Sequence, residues 1–192
     1  AGVPESSAGA ASVAAPPSGM DAPSIAPPIA SVGPLAWVLD NGLMATREYV
    51  DPHRQRAVQA VSAGDRLVFY ATRGCFRNPT RDEARLIGFG CAMHSVADLP
   101  APVELRGRVF RRGFGIRVEG LAPLRAGLSV RDLAPRLAAV QDPAHWGNLF
   151  RQAVVPLRAA DAELIDHELR PLCPPPQAHR DDYLRWLAPR SQ

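Results

Sequence analysis

Gly64-Asp65-Arg66-Leu67-Val68-Phe69-Tyr70-Ala71-Thr72-Arg73-Gly74-Cys75-Phe76-Arg77 is the stretch on which the fold of this chain turns. Leu67–Ala71 is an unbroken apolar run rich in β-branched and aromatic residues, and with Asp65 and Arg66 it predicts the strongest strand of the chain. Gly64 just ahead of it predicts a left-handed helix stop. The helix it ends begins at Asp51-Pro52, with Asp51 as N-cap and Pro52 in the first helical position. Ala57, Val58, Ala60 and Val61 give that helix its apolar stripe. Gly74 and Asn78-Pro79 mark Thr72–Glu83 as a loop.

Further out, Leu35–Leu39 is a short apolar run between Pro34 and Asp40-Asn41-Gly42, read as a buried strand and a turn. Ala84–Val96 predicts another strand, whose Gly88 and Gly90 signal a bend or a close backbone approach. Pro100 and Pro102 are expected to break the chain. Val103–Leu105 and Arg108–Leu121 follow as strands, Ser129 caps a helix over Val130–Val140, and Phe150–Leu157 is expected to be a last strand. Ala160–Leu169 reads as a helix with Leu164, Ile165 and Leu169 inward. Five or six short strands with flanking helices predict an α+β domain built on a small, strongly bent β-barrel.

That domain is expected over residues 33–172. Ala1–Val32 is rich in Ala, Pro, Ser and Gly and has no aromatic residue, so it reads as a disordered leader. The tail 173–192 opens with Pro-rich sequence and then carries Tyr183, Leu184, Trp186 and Leu187 at helical spacing. This short helix is expected to dock on the domain, with contact to a protein partner as the alternative.

Composition narrows the classes. The 192 residues have a formal net charge of +3, and all 22 basic residues are arginine. Codon bias explains that most simply, yet guanidinium groups also suit phosphate and base stacking. Cys75, Cys91 and Cys173 are odd in number and form no C-x-x-C pair, so neither a disulfide framework nor a zinc site is expected. A reducing, cytoplasmic compartment follows as the expectation. No apolar run is long enough to span a membrane.

The order of motifs resembles the EVE domain, a PUA-like module related to YTH and ASCH domains. The resemblance rests on the Trp37 strand, the helix, Gly64–Tyr70, the loop, and Leu86-Ile87-Gly88-Phe89-Gly90. It extends to Trp146-Gly147-x-x-Phe150-Arg151, Val154–Leu157 and Asp161-x-x-Leu164-Ile165, and so covers about Pro34–Leu169. The usual Trp-containing segment with its Arg-Asn pair is replaced here by Gly42–Tyr49, where Tyr49 is the substitute aromatic. The resemblance implies a non-catalytic module that recognises a modified or flipped base in DNA or RNA, without a cofactor or a metal. A small-molecule or protein-binding accessory domain using the same pocket is the alternative.

A base pocket needs aromatic walls, a few fixed hydrogen-bonding groups and a basic rim. The expected pocket residues are Trp37, Tyr49, Tyr70, Thr72, Trp146 and Asn148. Arg73, Arg77, Arg108, Arg111, Arg112 and Arg151 are the expected phosphate contacts, with Arg106 and Arg117 in the same basic run. Each has a plainer reading: core packing for the aromatics, a solvated face for the charges. Catalytic readings are weaker. Cys75 lies between Arg73 and Arg77 but has no sequence-adjacent base. Arg81 and Arg85 neutralise Asp82-Glu83, and Glu163 and His167 have the spacing of a helix salt bridge.

Overall fold

The computed structural model describes residues 29–31, 43–46, 52–73, 82–105, 108–151 and 154–187. The strand expected at Leu35–Leu39, with Trp37, lies outside them, as do Tyr49, Cys75, Arg77 and Arg106.

Among the described residues, eight strands form one mostly antiparallel sheet: β1 (Ile29–Ser31), β2 (Leu43–Thr46), β3 (Arg66–Ala71), β4 (Arg85–Ala92), β5 (Ala97–Leu105), β6 (Arg108–Leu121), β7 (Leu128–Ser129) and β8 (Val154–Val155). Their main path runs β2-β6-β4-β3-β1-β8, with β5 also on β6 and β7 also on β4. The helices are α1 (Pro52–Gln59), α2 (Val130–Leu133), α3 (Ala159–Leu169) and α4 (Arg180–Leu187), with 3-10 turns between them.

The sheet is open, which corrects the expected barrel. β2 and β8 end its path and do not pair with each other. The physical reason is visible in β3. Leu67, Phe69 and Ala71 pack with Val58, Val61, Phe114 and Tyr183. Val68 and Tyr70 pack with Val130, Leu133, Phe150, Ile165 and Leu169. Alternation thus sends successive residues to opposite faces, and both faces are covered by helical layers, whereas a small barrel uses one face as its interior.

Ile29–Ser31 falls in the segment read as leader, yet it pairs in parallel with β3 through Ile29↔Val68 and Ser31↔Tyr70. It also pairs antiparallel with β8. Without such a neighbour the second edge of β3 would leave buried backbone N–H and C=O groups unpaired.

Two glycines let β4 sit close to its neighbours. A Cβ on Gly90 would stand 2.4 Å from the Arg117 carbonyl oxygen and 3.0 Å from Phe69. Gly64 has the expected left-handed φ, +89°, but it does not end the helix, which stops at Gln59; it lies in the turn before β3, where its N–H donates to the Ala92 carbonyl at 2.9 Å. Pro100 and Pro102 do not end β5. The pairing of β5 with β6 is irregular between Asp98 and Val103, which accommodates residues that cannot donate to a ladder. The helix expected over Val130–Val140 is α-helical only to Leu133, because Pro135 lacks an N–H and crowds the preceding turn; a 3-10 turn covers Ala134–Arg136. Of the strand expected over Phe150–Leu157, β8 is Val154–Val155 alone, since Pro143–Arg151 winds into 3-10 structure.

The tail is built into the fold. Tyr183 of α4 is fully buried in the layer that covers Phe69. Its hydroxyl donates to the Pro123 carbonyl at 3.3 Å, and the Leu121 N–H donates to the Pro174 carbonyl at 3.1 Å.

Candidate functional site

Tyr70, next to last in β3, is turned away from Phe69 as alternation requires, but it faces packed side chains. It is 6% exposed, and burial raises its phenol pKa above the ordinary value. Its ring meets Phe150 at 5.0 Å with a 41° tilt. Phe150 in turn meets Trp146 edge to face at 5.9 Å and 73°. The three rings form a row running from the sheet outward, and Trp146, half-buried, is its outer member.

Trp146 opens onto a concavity of about 570 Å³ lined by Ala139–Asp142, His145, Trp146 and Leu149. That volume falls within the roughly 300–1,000 Å³ of small-molecule sites. A second cavity, between β3 and α3, measures about 10 Å³ and holds no more than one water.

The concavity has a fixed wall. Asp161, in the first turn of α3, is 2% exposed. Its carboxylate accepts the Ala138 N–H at 2.7 Å and the Ala139 N–H at 2.9 Å. Such charge-assisted bonds are stronger than neutral ones, and the helix N-terminus favours the carboxylate further. Asp161 thereby pins the segment that begins the groove. At the lip, Asp142 Oδ2 and His145 Nδ1 are 2.7 Å apart.

The other expected site residues are dispersed. Thr72 and Arg73 are exposed in the turn after β3. Asn148 and Arg151 belong to the same 3-10 segment as Trp146, and Arg108 to β6; the side chains of these three are outside the described part. Arg111 is exposed on β6. Arg112 stands 3.4 Å from Asp98 across the β5–β6 pair. Arg117 donates to Glu119 at 2.9 Å, and this bond raises the pKa of its guanidinium. Two charges of the basic run, Arg112 and Arg117, are therefore paired with carboxylates.

The carboxylates weighed for catalysis are also paired: Asp82 with Arg125 at 3.8 Å and Glu83 with Arg85 at 3.3 Å. Burial pushes the Cys173 thiol up to about 12. Among the described residues no group of three or more His, Cys, Asp and Glu is placed to hold a metal ion. No described helix is long and apolar enough to cross a membrane.

Sequence reading singled out Trp146 but gave no site role to Asp142, His145 or Asp161. Asp142 and His145 carried a signal in their i, i+3 spacing directly before Trp146. Asp161 was visible as a lone carboxylate in an alanine-rich helix start, where its burial could not be foreseen. Phe150, quoted within the Trp146 motif, carried no sign that it bridges Trp146 to Tyr70.

No family's sequence profile matches the chain, and no curated protein matches it. Solved structures do. A hypothetical protein from Leishmania major superposes with a TM-score of 0.50 at 14% identity, covering 75% of this chain and 94% of that one. Rpa0253 from Rhodopseudomonas palustris gives 0.50 and 14%, covering 77% of this chain and 95% of that one. At these identities the likeness is one of fold.

Proposed function

We propose that this domain is a non-catalytic binding module, akin to the EVE domain, that takes a nucleobase of DNA or RNA against Trp146. The observation that carries the reading is the concavity itself. An open apolar ring, braced from behind by Phe150 and Tyr70, stands beside a wall that Asp161 holds in place. A rigid ring lowers the entropy cost of stacking, and hydrogen-bonding groups at the lip supply selectivity. The arginines proposed to meet phosphates are those expected from the sequence: Arg73, Arg77, Arg108, Arg111, Arg112 and Arg151. At Arg112 a phosphate would compete with Asp98.

A second reading is favoured by Asp142. A carboxylate at the groove repels a polyanion, and a free, uncharged planar ligand would escape that repulsion. Both readings are tested by titrating tryptophan fluorescence with modified and unmodified oligonucleotides and with free nucleosides, in wild type and Trp146→Ala. Stacking is worth about 1–3 kcal/mol per base, so Trp146→Ala should weaken binding roughly 5- to 150-fold. Tight binding of nucleosides alone selects the second reading. The absence of binding to any nucleic acid or nucleoside at low salt would overturn both.

A further inference from the structure

We propose that His145 determines which ligand the groove accepts, by presenting Nε2 as a hydrogen-bond acceptor for a ring N–H or exocyclic amine. The inference rests on the reading that a planar heterocycle stacks at Trp146. Three observations support it. His145 lines the same concavity as Trp146 and precedes it in the chain. Its Nδ1 lies 2.7 Å from Asp142 Oδ2, and a carboxylate facing that nitrogen requires it to carry the proton. In the neutral imidazole the two nitrogens have opposite roles, so Nε2 is left as the acceptor, and the hydrogen bond on Nδ1 sets the tautomer.

The third observation is that the side chain of His145 is 71% exposed. It contributes little to packing, and Nε2 is accessible to a ligand. A base that offers a donor beside its stacking face satisfies this nitrogen. One whose donor has been alkylated leaves it unpaired inside the contact, and also meets it with a methyl group. Asp142 is a positioning residue: it acts through the imidazole by holding its tautomer.

The test compares uridine with 3-methyluridine, and cytidine with N4,N4-dimethylcytidine, by quenching of Trp146 fluorescence. Wild type should prefer the unblocked member of each pair by about three- to tenfold. His145→Phe keeps the bulk and loses the acceptor, so the preference should fall to near unity. His145→Gln, which restores an acceptor oxygen, should recover part of it. Asp142→Ala should reduce the preference more than it reduces affinity, a separation that general loosening of the groove would not give. Quenching by all four nucleosides with no preference in wild type would overturn the role of His145 and leave the groove reading standing. A preference that survives unchanged in His145→Phe would do the same. No quenching by any of them, nor by oligonucleotides, would overturn both.

Discussion

Replacing Asp161 tests how the groove is held. In Asp161→Ala the N–H groups of Ala138 and Ala139 lose their carboxylate. Hydrogen bonds to a charged group contribute about 1.5–3 kcal/mol each, which sets an upper limit of roughly 3–6 kcal/mol for the pair. Two effects lower it. Ala138 is exposed and Ala139 half-buried, so water takes over much of the bonding. The variant is also spared the desolvation of a carboxylate that is 2% exposed. A net loss of about 2–3 kcal/mol remains, or roughly 5–10 °C in Tm for a chain of this size.

Asp161→Asn should not rescue the loss, since its NH2 group would face one of the two N–H donors. Urea and thermal unfolding followed by circular dichroism give the stability. Ligand titration at a temperature where the variant is folded gives the consequence for the groove, which should be weaker binding through a loosened wall. A loss below about 0.5 kcal/mol, the range of ordinary surface substitutions, would refute the reasoning. So would an Asp161→Asn variant as stable as wild type.

Three further outcomes follow from the packing and the ion pairs. Tyr183→Ala removes a fully buried aromatic ring and should cost about 3–5 kcal/mol; a midpoint shift in urea below a third of that would show that α4 is not part of the core. The carboxyl of Asp166 lies below its ordinary pKa, chiefly through the Arg170 hydrogen bond, with Arg66 adding to it and burial opposing it. Stability from this group is therefore full above the unfolded carboxyl pKa of about 3.9 and is lost as pH falls through the lower folded value. Asp166→Asn should flatten the acid limb of the stability profile below about pH 4, and an unchanged limb would contradict the assignment. Cys173, pushed up to about 12 by burial, should resist iodoacetamide at pH 8 in the native protein and react in urea. Peptide mapping that finds it modified in the native state would refute its burial.

The centre of the fold was legible because local chemistry and tertiary demand agree there. Leu67–Ala71 has strand-forming residues, Gly64 has a conformation that favours glycine, and Gly88 and Gly90 lie where a side chain would strike a neighbouring strand or ring. The misreadings occur where a tertiary partner overrides a local cue. Ile29–Ser31 looks like part of a low-complexity leader, yet it completes a hydrogen-bonded edge that β3 cannot leave bare. Pro100 and Pro102 look like breakers, yet the irregular stretch of β5 has no ladder bond for them to remove. Phe150 alternates with its neighbours like a strand residue, but the 3-10 winding of Pro143–Arg151 turns it onto Tyr70 instead.

The position of the groove follows from the same competition. Tyr70 was expected to wall a pocket because it turns away from Phe69, and in a one-faced sheet that direction would be open. Here β1 completes one edge of β3, α1 and α4 cover one face, and α2, α3 and the 3-10 segment cover the other. A strand buried in this way has no surface left for a ligand. Along the row of rings that starts at Tyr70, the ring that meets solvent is two rings out, at Trp146. That segment lacks a long run of regular backbone bonds to stiffen it, so its rigidity has to come from side chains. Phe150 supports it from the core and Asp161 ties its entry to α3. The residues that shape the groove are thus the ones that reconcile an irregular backbone with a fixed shape, and a sequence motif for binding alone does not reveal them.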